Sequence, residues 1–429
     1  MAALNTGAGY FIAAEGCGAV QQTSVHRRQL RYYDMPANTP LASAVPRRLT
    51  SKLPDVGTTI FTVMSQLANE HGAINLSQGF PDYPCHPALL DALARAAHAG
   101  HNQYAPMAGL PSLRQAIAAK LQLSRGIAID ADQEITVTAG ATQAIFTAIT
   151  AVLHAGEEAI VLDPSYDSYA PAIAAQGGVP VRVNLRAPDY AVDWQEVERA
   201  VTPRTRLILI NNPNNPSTSL FSSTDLDALA AIAERHDLFV LADEVYEHLV
   251  FDGLEHRSVL AHPALRARSF AIYSFGKTFH ATGWKIGYCV APPDMTLEFR
   301  KIHQFLVFAV NSPAQHALAE HLAEPGHWQT LPAFFQAKRD RLAPGLTAAG
   351  FRLLPSRGTY FQLANFSGVR PDMSDVEFAR WLTTGHGVAC IPLSVFHANG
   401  HDAKLVRFCF AKRDATLDAA SARLASLSA

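Results

Sequence analysis

The stretch Leu207–Ala242, LILINNPNNPSTSLFSSTDLDALAAIAERHDLFVLA, decides how the rest of the chain is read. It opens and closes on short apolar runs, Leu207–Ile210 and Leu238–Ala242, and Thr224–His236 between them carries apolar residues at helical spacing. Short Val/Ile/Leu-rich runs separated by helices predict a mostly parallel sheet covered on both faces, an α/β fold. The pattern extends outward on both sides. Strands are expected at Glu134–Thr138, Ala159–Leu162, Val179–Asn184 and Ser269–Ser274, with a helix at Thr142–Leu153. In such sheets ligands bind beyond the carboxyl ends of the strands.

Nearer the N-terminus, helices are expected at Ile60–Glu70, His86–His98 and Leu110–Ser124, with a short strand at Ile74–Leu76. Past Pro293 the style changes. A long helical region, Met295–Leu322 and then His327–Gly350, leads into strands near Phe351–Leu354, Tyr360–Asn365 and Leu405–Phe410. A helix near Asp375–His386 and a final helix complete an α+β layer. The expected division is a tail and arm over 1–50, a large domain over 51–300 and a small one over 301–429. Residues 1–34 contribute no motif and are expected to be disordered or absent in the native product, since Met35 begins a stretch that reads as a natural N-terminus.

With 48% hydrophobic and 17% charged residues in 429, and a formal charge of −2, the chain is globular rather than disordered. No basic stripe points to nucleic acid and no polybasic cluster to a membrane surface. No apolar run approaches the ~20 residues of a membrane helix. Five scattered cysteines form no CxxC pair, which argues against disulfides or zinc and for a reducing cytoplasm. Among 18 histidines, His397 and His401 are separated by Asn399 and Gly400, a loop, and no metal is assigned.

Five strand-end segments hold reactive side chains. In SFGKT (Ser274–Thr278), Lys277 follows a strand, where partial desolvation favours a neutral, nucleophilic amine. A lone lysine is more often a surface one. A phosphate loop is ruled out because Ala271 stands where that motif needs glycine. LADEVY (Leu241–Tyr246) ends an apolar strand on Asp243, and a carboxylate buried there needs a cationic partner. A pyridinium nitrogen is one such partner, while a helix N-cap or a Mg²⁺ ligand is the plainer reading. NNPNNP (Asn211–Pro216) is stiffened by its prolines and lets Asn215 donate to an oxyanion, though turn chemistry alone also accounts for it. TAGATQA (Thr138–Ala144) leads into a helix, so the N–H groups of Ala141, Thr142 and Gln143 can hold phosphate, as at any such turn. In KLVRFCF (Lys404–Phe410), Arg407 either faces solvent or pairs with a carboxylate.

Together with SQGFPD (Ser77–Asp82), NQYAPMAG (Asn102–Gly109), DPSYDSY (Asp163–Tyr169), ADEVYEHL (Ala242–Leu249), SFGKTFHATGWKIGY (Ser274–Tyr288) and GTYF (Gly358–Phe361), these motifs resemble the class I/II pyridoxal-phosphate (PLP) aminotransferases of fold type I. Their order and spacing match over residues 50–425. The resemblance implies a mostly parallel seven-stranded sheet in the large, PLP-binding domain and a smaller α+β C-terminal domain. It implies that Lys277 holds the cofactor as a Schiff base and shuttles the substrate α-proton, with Asp243 on the pyridinium nitrogen. Asn215 and Tyr246 would hydrogen-bond the ring's phenolic oxygen, and Tyr166 would stack on the ring. Ala141, Thr142, Gln143, Ser274 and Lys285 would hold the phosphate. Tyr104 would reach it from the neighbouring subunit of a homodimer with shared active sites. Arg407 would clamp the substrate carboxylate, alongside Asn215, Gly79 and Phe80.

Within the family, DPSYDSYAPAIA, SVLAHP and HGVACIPLSVF are most similar to bacterial methionine aminotransferases, with kynurenine aminotransferases next. The expected reaction converts L-methionine to 4-methylthio-2-oxobutanoate with a 2-oxo acid as acceptor. No second arginine stands in a motif that would take a distal carboxylate. Phe80, Tyr83, Tyr104, Tyr166, Tyr360, Phe305 and Phe308 are expected around the site, a wall that suits a thioether. Kynurenine or aromatic transamination and a cysteine-conjugate β-lyase remain the alternatives. A transcription regulator on the same scaffold is set aside, because residues 1–50 hold no helix-turn-helix pattern or basic face.

Overall fold

A computed structural model describes residues 49–427, and the tail expected over residues 1–34 lies outside them. Seven strands form one sheet in the spatial order Ile135–Thr138, Gly287–Val290, Ser269–Ser274, Phe239–Asp243, Thr205–Asn211, Glu158–Asp163, Val179–Asn184. Neighbours run parallel except at Gly287–Val290, which is antiparallel to both strands beside it. Successive residues of a strand face opposite sides. Ile160, Leu162, Ile208, Ile210, Val240 and Ala242 join the core on one face. Ala159, Val161, Leu207, Leu209 and Leu241 pack on the other, with Ala144, Ile145, Ala148 and Ile149 of helix Gly140–Val152. Each fully buried leucine or isoleucine contributes roughly 1.5–3 kcal/mol, so two covered faces explain why these strands read as unbroken apolar runs.

Register levels the strand ends that carry chemistry. Asn211 pairs with Asp243, Asp243 with Ile272, and Ser274 with Gly287. The helix between the first two strands, Ser223–Arg235, is started by a capping box of Ser222 and Asp225.

A second, antiparallel sheet has the order Ile391–Pro392, Leu405–Cys409, Phe361–Asn365, Arg352–Leu353. The chain near the N-terminus reaches this layer as well. Ile74–Asn75 pairs in parallel with Val388–Ala389, and the Cys409 N–H donates to Leu76 O at 2.8 Å. The segment Ser77–Asp82 therefore starts from an anchor on the C-terminal layer.

The structure departs from the expected elements in three places. The long helical region divides into Pro293–Leu306 and Ser312–Leu322, because Asn311 caps Ala314 N–H and Pro313 occupies a first-turn position. His327–Gly350 likewise divides into Gly326–Gln329 and Leu331–Ala348, the second opening on Pro332. Lys277 lies in a one-turn helix, Phe275–Thr278, rather than an open loop. Among the described residues no helix is long and apolar enough to cross a membrane, and the four described cysteines are free.

Candidate active site

The carboxyl ends of the central strands and the second sheet enclose a cavity of about 340 Å³. Asp243 closes its strand and is buried, accepting from the Tyr169 hydroxyl at 2.6 Å and the Val245 N–H at 3.3 Å. Burial raises its pKa to about 6, while those two donors and the nearby Lys277 charge pull the other way. It forms no ion pair among the described residues.

Lys277 Nζ donates to Tyr360 Oη at 2.8 Å and to Gly79 O at 3.3 Å. Burial lowers its pKa to about 8, against the pull of Asp243. Tyr246 meets Tyr360 edge-on at 5.2 Å, and burial pushes its phenol up.

Arg407, in the middle of strand Leu405–Cys409, is 1% exposed. Its side chain is turned inward, which answers the open question of solvent or interior. The guanidinium donates to Asn215 Oδ1 and, at 3.4 Å, to Ser77 O, and it lies 3.8 Å from the Phe361 ring centroid. Its Nε has no partner and no carboxylate pairs with it among the described residues. A buried cation left in this state calls for an anion. Asn215 is itself held by its N–H to Asn211 Oδ1 at 2.6 Å, and Asn211 Nδ2 donates to Asp243 O.

At the far end, helix Gly140–Val152 opens on Ala139 with no side-chain cap, leaving first-turn N–H groups open to an anion. Ala141, Thr142, Ser274 and Lys285 line the cavity here. The approach is close enough to demand glycine. A Cβ on Gly287 would come 2.4 Å from Tyr273 O and 3.1 Å from Ala141 N. Gly140, at φ +78°, lies against the Lys285 side chain.

Of the residues expected from sequence, Lys277, Asp243, Tyr246, Ala141, Thr142, Tyr166, Asn215, Ser274, Lys285, Arg407, Gly79 and Phe80 all line this cavity. Gln143 does not. Its side chain folds back along the helix to Ala139 N–H and Thr147 Oγ1. Tyr104 is 82% exposed and outside the cavity of its own chain, packed edge-on against Phe308. Phe305 and Phe308 are exposed beside it, and Tyr83 turns to His280 and Phe334, so these three form no part of the wall. Phe61 and Phe361 stand there instead.

Sequence reasoning passed over two supports. Tyr169, three residues after Tyr166, reaches the Asp243 carboxylate. Lys412, 3% exposed, donates to Phe80 O at 2.7 Å and Gln78 O at 3.3 Å, the carbonyls on either side of Gly79. Asp82 accepts from Arg413 N–H and Thr416 Oγ1, so the segment Ser77–Asp82 is stapled along its length to residues 407–416.

A family model described as aminotransferase class I and II matches residues 71–424. The chain belongs to this family. As an aminotransferase it moves an amino group between an amino acid and a 2-oxo acid, and its family uses pyridoxal phosphate. An Escherichia coli protein named methionine aminotransferase is 53% identical over 378 residues, spanning 88% of this aminotransferase and 98% of that protein. A Mycobacterium tuberculosis protein named probable N-succinyldiaminopimelate aminotransferase is 42% identical over 390 residues, 88% and 98% of the two chains. Among solved structures, an E. coli protein described as having a methionine aminotransferase function superposes with TM-score 0.87 at 53% identity, over 89% of this chain and 100% of that one. A Thermus thermophilus aspartate aminotransferase variant superposes with TM-score 0.81 at 30% identity, over 89% and 100%. The mostly parallel sheet, the covering helices and the smaller C-terminal sheet are those of the fold type I aminotransferases.

Proposed function

We propose that this aminotransferase holds pyridoxal phosphate in the cavity through Lys277 and transaminates L-methionine to 4-methylthio-2-oxobutanoate. The observation that carries the reading is three charges left open toward one cavity: the Lys277 amine, the Asp243 carboxylate and the Arg407 guanidinium. The donor set fits the group. First-turn N–H groups, Ser274 and Lys285 suit a phosphate at one end, and Asp243 suits a protonated ring nitrogen deep in the cavity.

When bound, pyridoxal phosphate supplies a carbonyl that takes up the substrate amine and a ring that accepts electron density. The remaining work falls to the chain. Asp243, oriented by Tyr169, would keep the ring nitrogen protonated, and Tyr166 would stack on the ring. Tyr246 and Asn215 would hydrogen-bond its phenolic oxygen. Lys277 Nζ, once free, takes the proton from the substrate α-carbon and returns it on the acceptor side, with Tyr360 Oη and Gly79 O fixing where Nζ sits. Arg407 clamps the α-carboxylate as a fork, beside Asn215, Gly79 and Phe80.

Methionine is favoured over dicarboxylic donors by the cations available. Lys277, Lys285 and Arg407 are the cations of the cavity lining among the described residues, and each has a task already. An aspartate side chain would be buried against Phe61, Phe80 and Phe361, which costs far more than burying a thioether. The Escherichia coli relative supports the same donor. Two chains sharing their sites, with exposed Tyr104 at the contact, and a reducing cytoplasmic setting for the free cysteines complete the reading.

Borohydride reduction of the yellow holoenzyme and peptide mapping should place the pyridoxyl group on Lys277; a label on another lysine overturns the assignment. A donor panel should rank methionine above aspartate and glutamate. A tenfold preference for either acid, about 1.4 kcal/mol in the transition state, would reject the apolar pocket. Mixed dimers of Tyr104 and Lys277 variants should regain activity, and no recovery after proven subunit exchange argues against shared sites.

A further inference from the structure

Away from this cavity, three histidines converge from two helices and the segment leading into a third. His86 precedes helix Pro87–His98 and caps it, His321 stands in the last turn of helix Ser312–Leu322, and His327 lies in helix Gly326–Gln329. One ring nitrogen from each lies within 4.8 Å of the other two. Nothing in the reaction described above uses them.

We propose that His86, His321 and His327 form a binding site for one divalent transition-metal ion of the zinc, nickel or copper kind. Three imidazoles with no carboxylate among them are the donor set these ions favour over magnesium or calcium. His321 is 4% exposed, and its ring lies between those of His86 and His327, 5.5 and 3.6 Å away centroid to centroid. His327 Nδ1 lies 2.9 Å from His321 O, and donation to that carbonyl fixes the tautomer with a free lone pair on Nε2.

The site is gathered but not closed. Metal–nitrogen bonds of 2.0–2.1 Å put tetrahedral ligand atoms about 3.3 Å apart, so the nitrogens must draw together by up to about 1.5 Å. The His321 and His327 rings stack at 3.6 Å and 13°, which sets their lone pairs side by side, and His86 tilts by 42° and 44° to them. Rotation about the terminal torsion, which is soft, turns one ring of the stack toward a shared ion. The fourth position is left to water. The bound ion would tie the start of helix Pro87–His98 to the end of helix Ser312–Leu322, which already pack together. It would also lie behind Phe279, whose ring meets His321 edge-on at 4.9 Å two residues beyond Lys277.

The test is calorimetric titration of dialysed holoenzyme with Zn²⁺, repeated with Co²⁺ to read its visible absorption. The expected result is one ion per chain, micromolar or tighter, a four-coordinate Co²⁺ spectrum and a raised melting temperature. His86→Asn keeps a capping side chain, and His327→Gln alters a half-buried position, so both should fold. Each should weaken the ion by at least tenfold and cancel the melting shift, while His98→Gln leaves both intact. Ion binding by the cofactor persists in every variant and is subtracted by it. Absence of a site in the wild-type chain, or equal binding in the His86 and His327 variants, overturns the proposal.

Discussion

The strand-end segment Asp243–Glu247 carries two buried clusters of charge that behave in opposite ways. Glu247 points away from the cavity and is closed on all sides. It pairs with Lys120 and, at 2.7 Å, with Arg125, and Lys120 also donates to Tyr288 Oη. Glu244 joins this group through Tyr273 Oη and the Val259 N–H. Asp243, four residues before Glu247, has one phenol and one amide N–H, while nearby Lys277 donates to Tyr360 Oη and Gly79 O instead. Burial would raise the pKa of both carboxylates. Glu247 ends well below the ordinary value because its cations outweigh that penalty, while Asp243 ends at about 6 because nothing of comparable size offsets it. A closed network holds the loop; an open one awaits a ligand.

Lys277→Ala should give the largest effect, a loss of transamination of at least ~10³-fold, since it removes the group that binds and moves protons. Steady-state turnover with methionine measures it, and retained folding by circular dichroism shows that the open cluster is chemical rather than structural. The closed cluster predicts the reverse. Glu247→Ala leaves Lys120 and Arg125 buried without a partner and should cost roughly 3–5 kcal/mol of stability in denaturant titration. If activity falls tenfold at full folding instead, the two clusters are not separable.

Asp243→Asn should lower turnover by about 10²-fold, because a neutral amide cannot hold a proton on a ring nitrogen. The two carboxylates also diverge with pH in the cofactor-free protein. Folding raises the Asp243 pKa from 3.8 to about 6, so its cost to stability is absent at low pH and grows as pH climbs through that window. Glu247, lowered below 4.5, contributes in full above that value and loses its contribution as pH falls through its folded pKa. Melting temperatures across pH 3 to 7 should show Asp243→Asn removing a decline toward neutrality and Glu247→Gln removing a rise. The smallest effect concerns Lys412. Lys412→Met should raise KM for methionine about tenfold with turnover little changed, as the carbonyls beside Gly79 lose a charged donor. An unchanged KM would mean that the Asp82 contacts alone hold the segment.

Sequence made the open cluster legible because Asp243 ends a short apolar strand, Lys277 follows one and Arg407 interrupts one, and covered strands leave few other reasons for a charged residue at such places. The apolar runs also located six of the seven central strands. Gly287–Val290 stayed hidden because it is only four residues long, opens on glycine and follows Lys285, whose left-handed φ of 55° turns the chain in a way its side chain does not announce. Lys412 was illegible for a different reason. A lysine next to Arg413 reads as solvated, and only the carbonyls of Gln78 and Phe80, more than three hundred positions earlier, make it an interior residue. His86, His321 and His327 have no ligand spacing, so only the packing of two distant helices brings them together. Gln143 was expected at the phosphate through its backbone N–H, and its side chain is engaged elsewhere, with Ala139 N–H, Thr147 Oγ1 and His303 Nδ1.

The stapling of Ser77–Asp82 to residues 407–416 bears on synthesis. A ribosome delivers the amine, the carboxylate and the helix end long before Arg407, Lys412 and Thr416 emerge. Until they do, the segment that carries Gly79 has no Arg407, Lys412 or Thr416 to hold it. A chain cut short before residue 407 still carries Lys277 but has neither the carboxylate clamp nor Lys412 to hold the segment around Gly79. Shortened products are thus denied the fork that selects amino acids, and selectivity arrives with the last strand and helix.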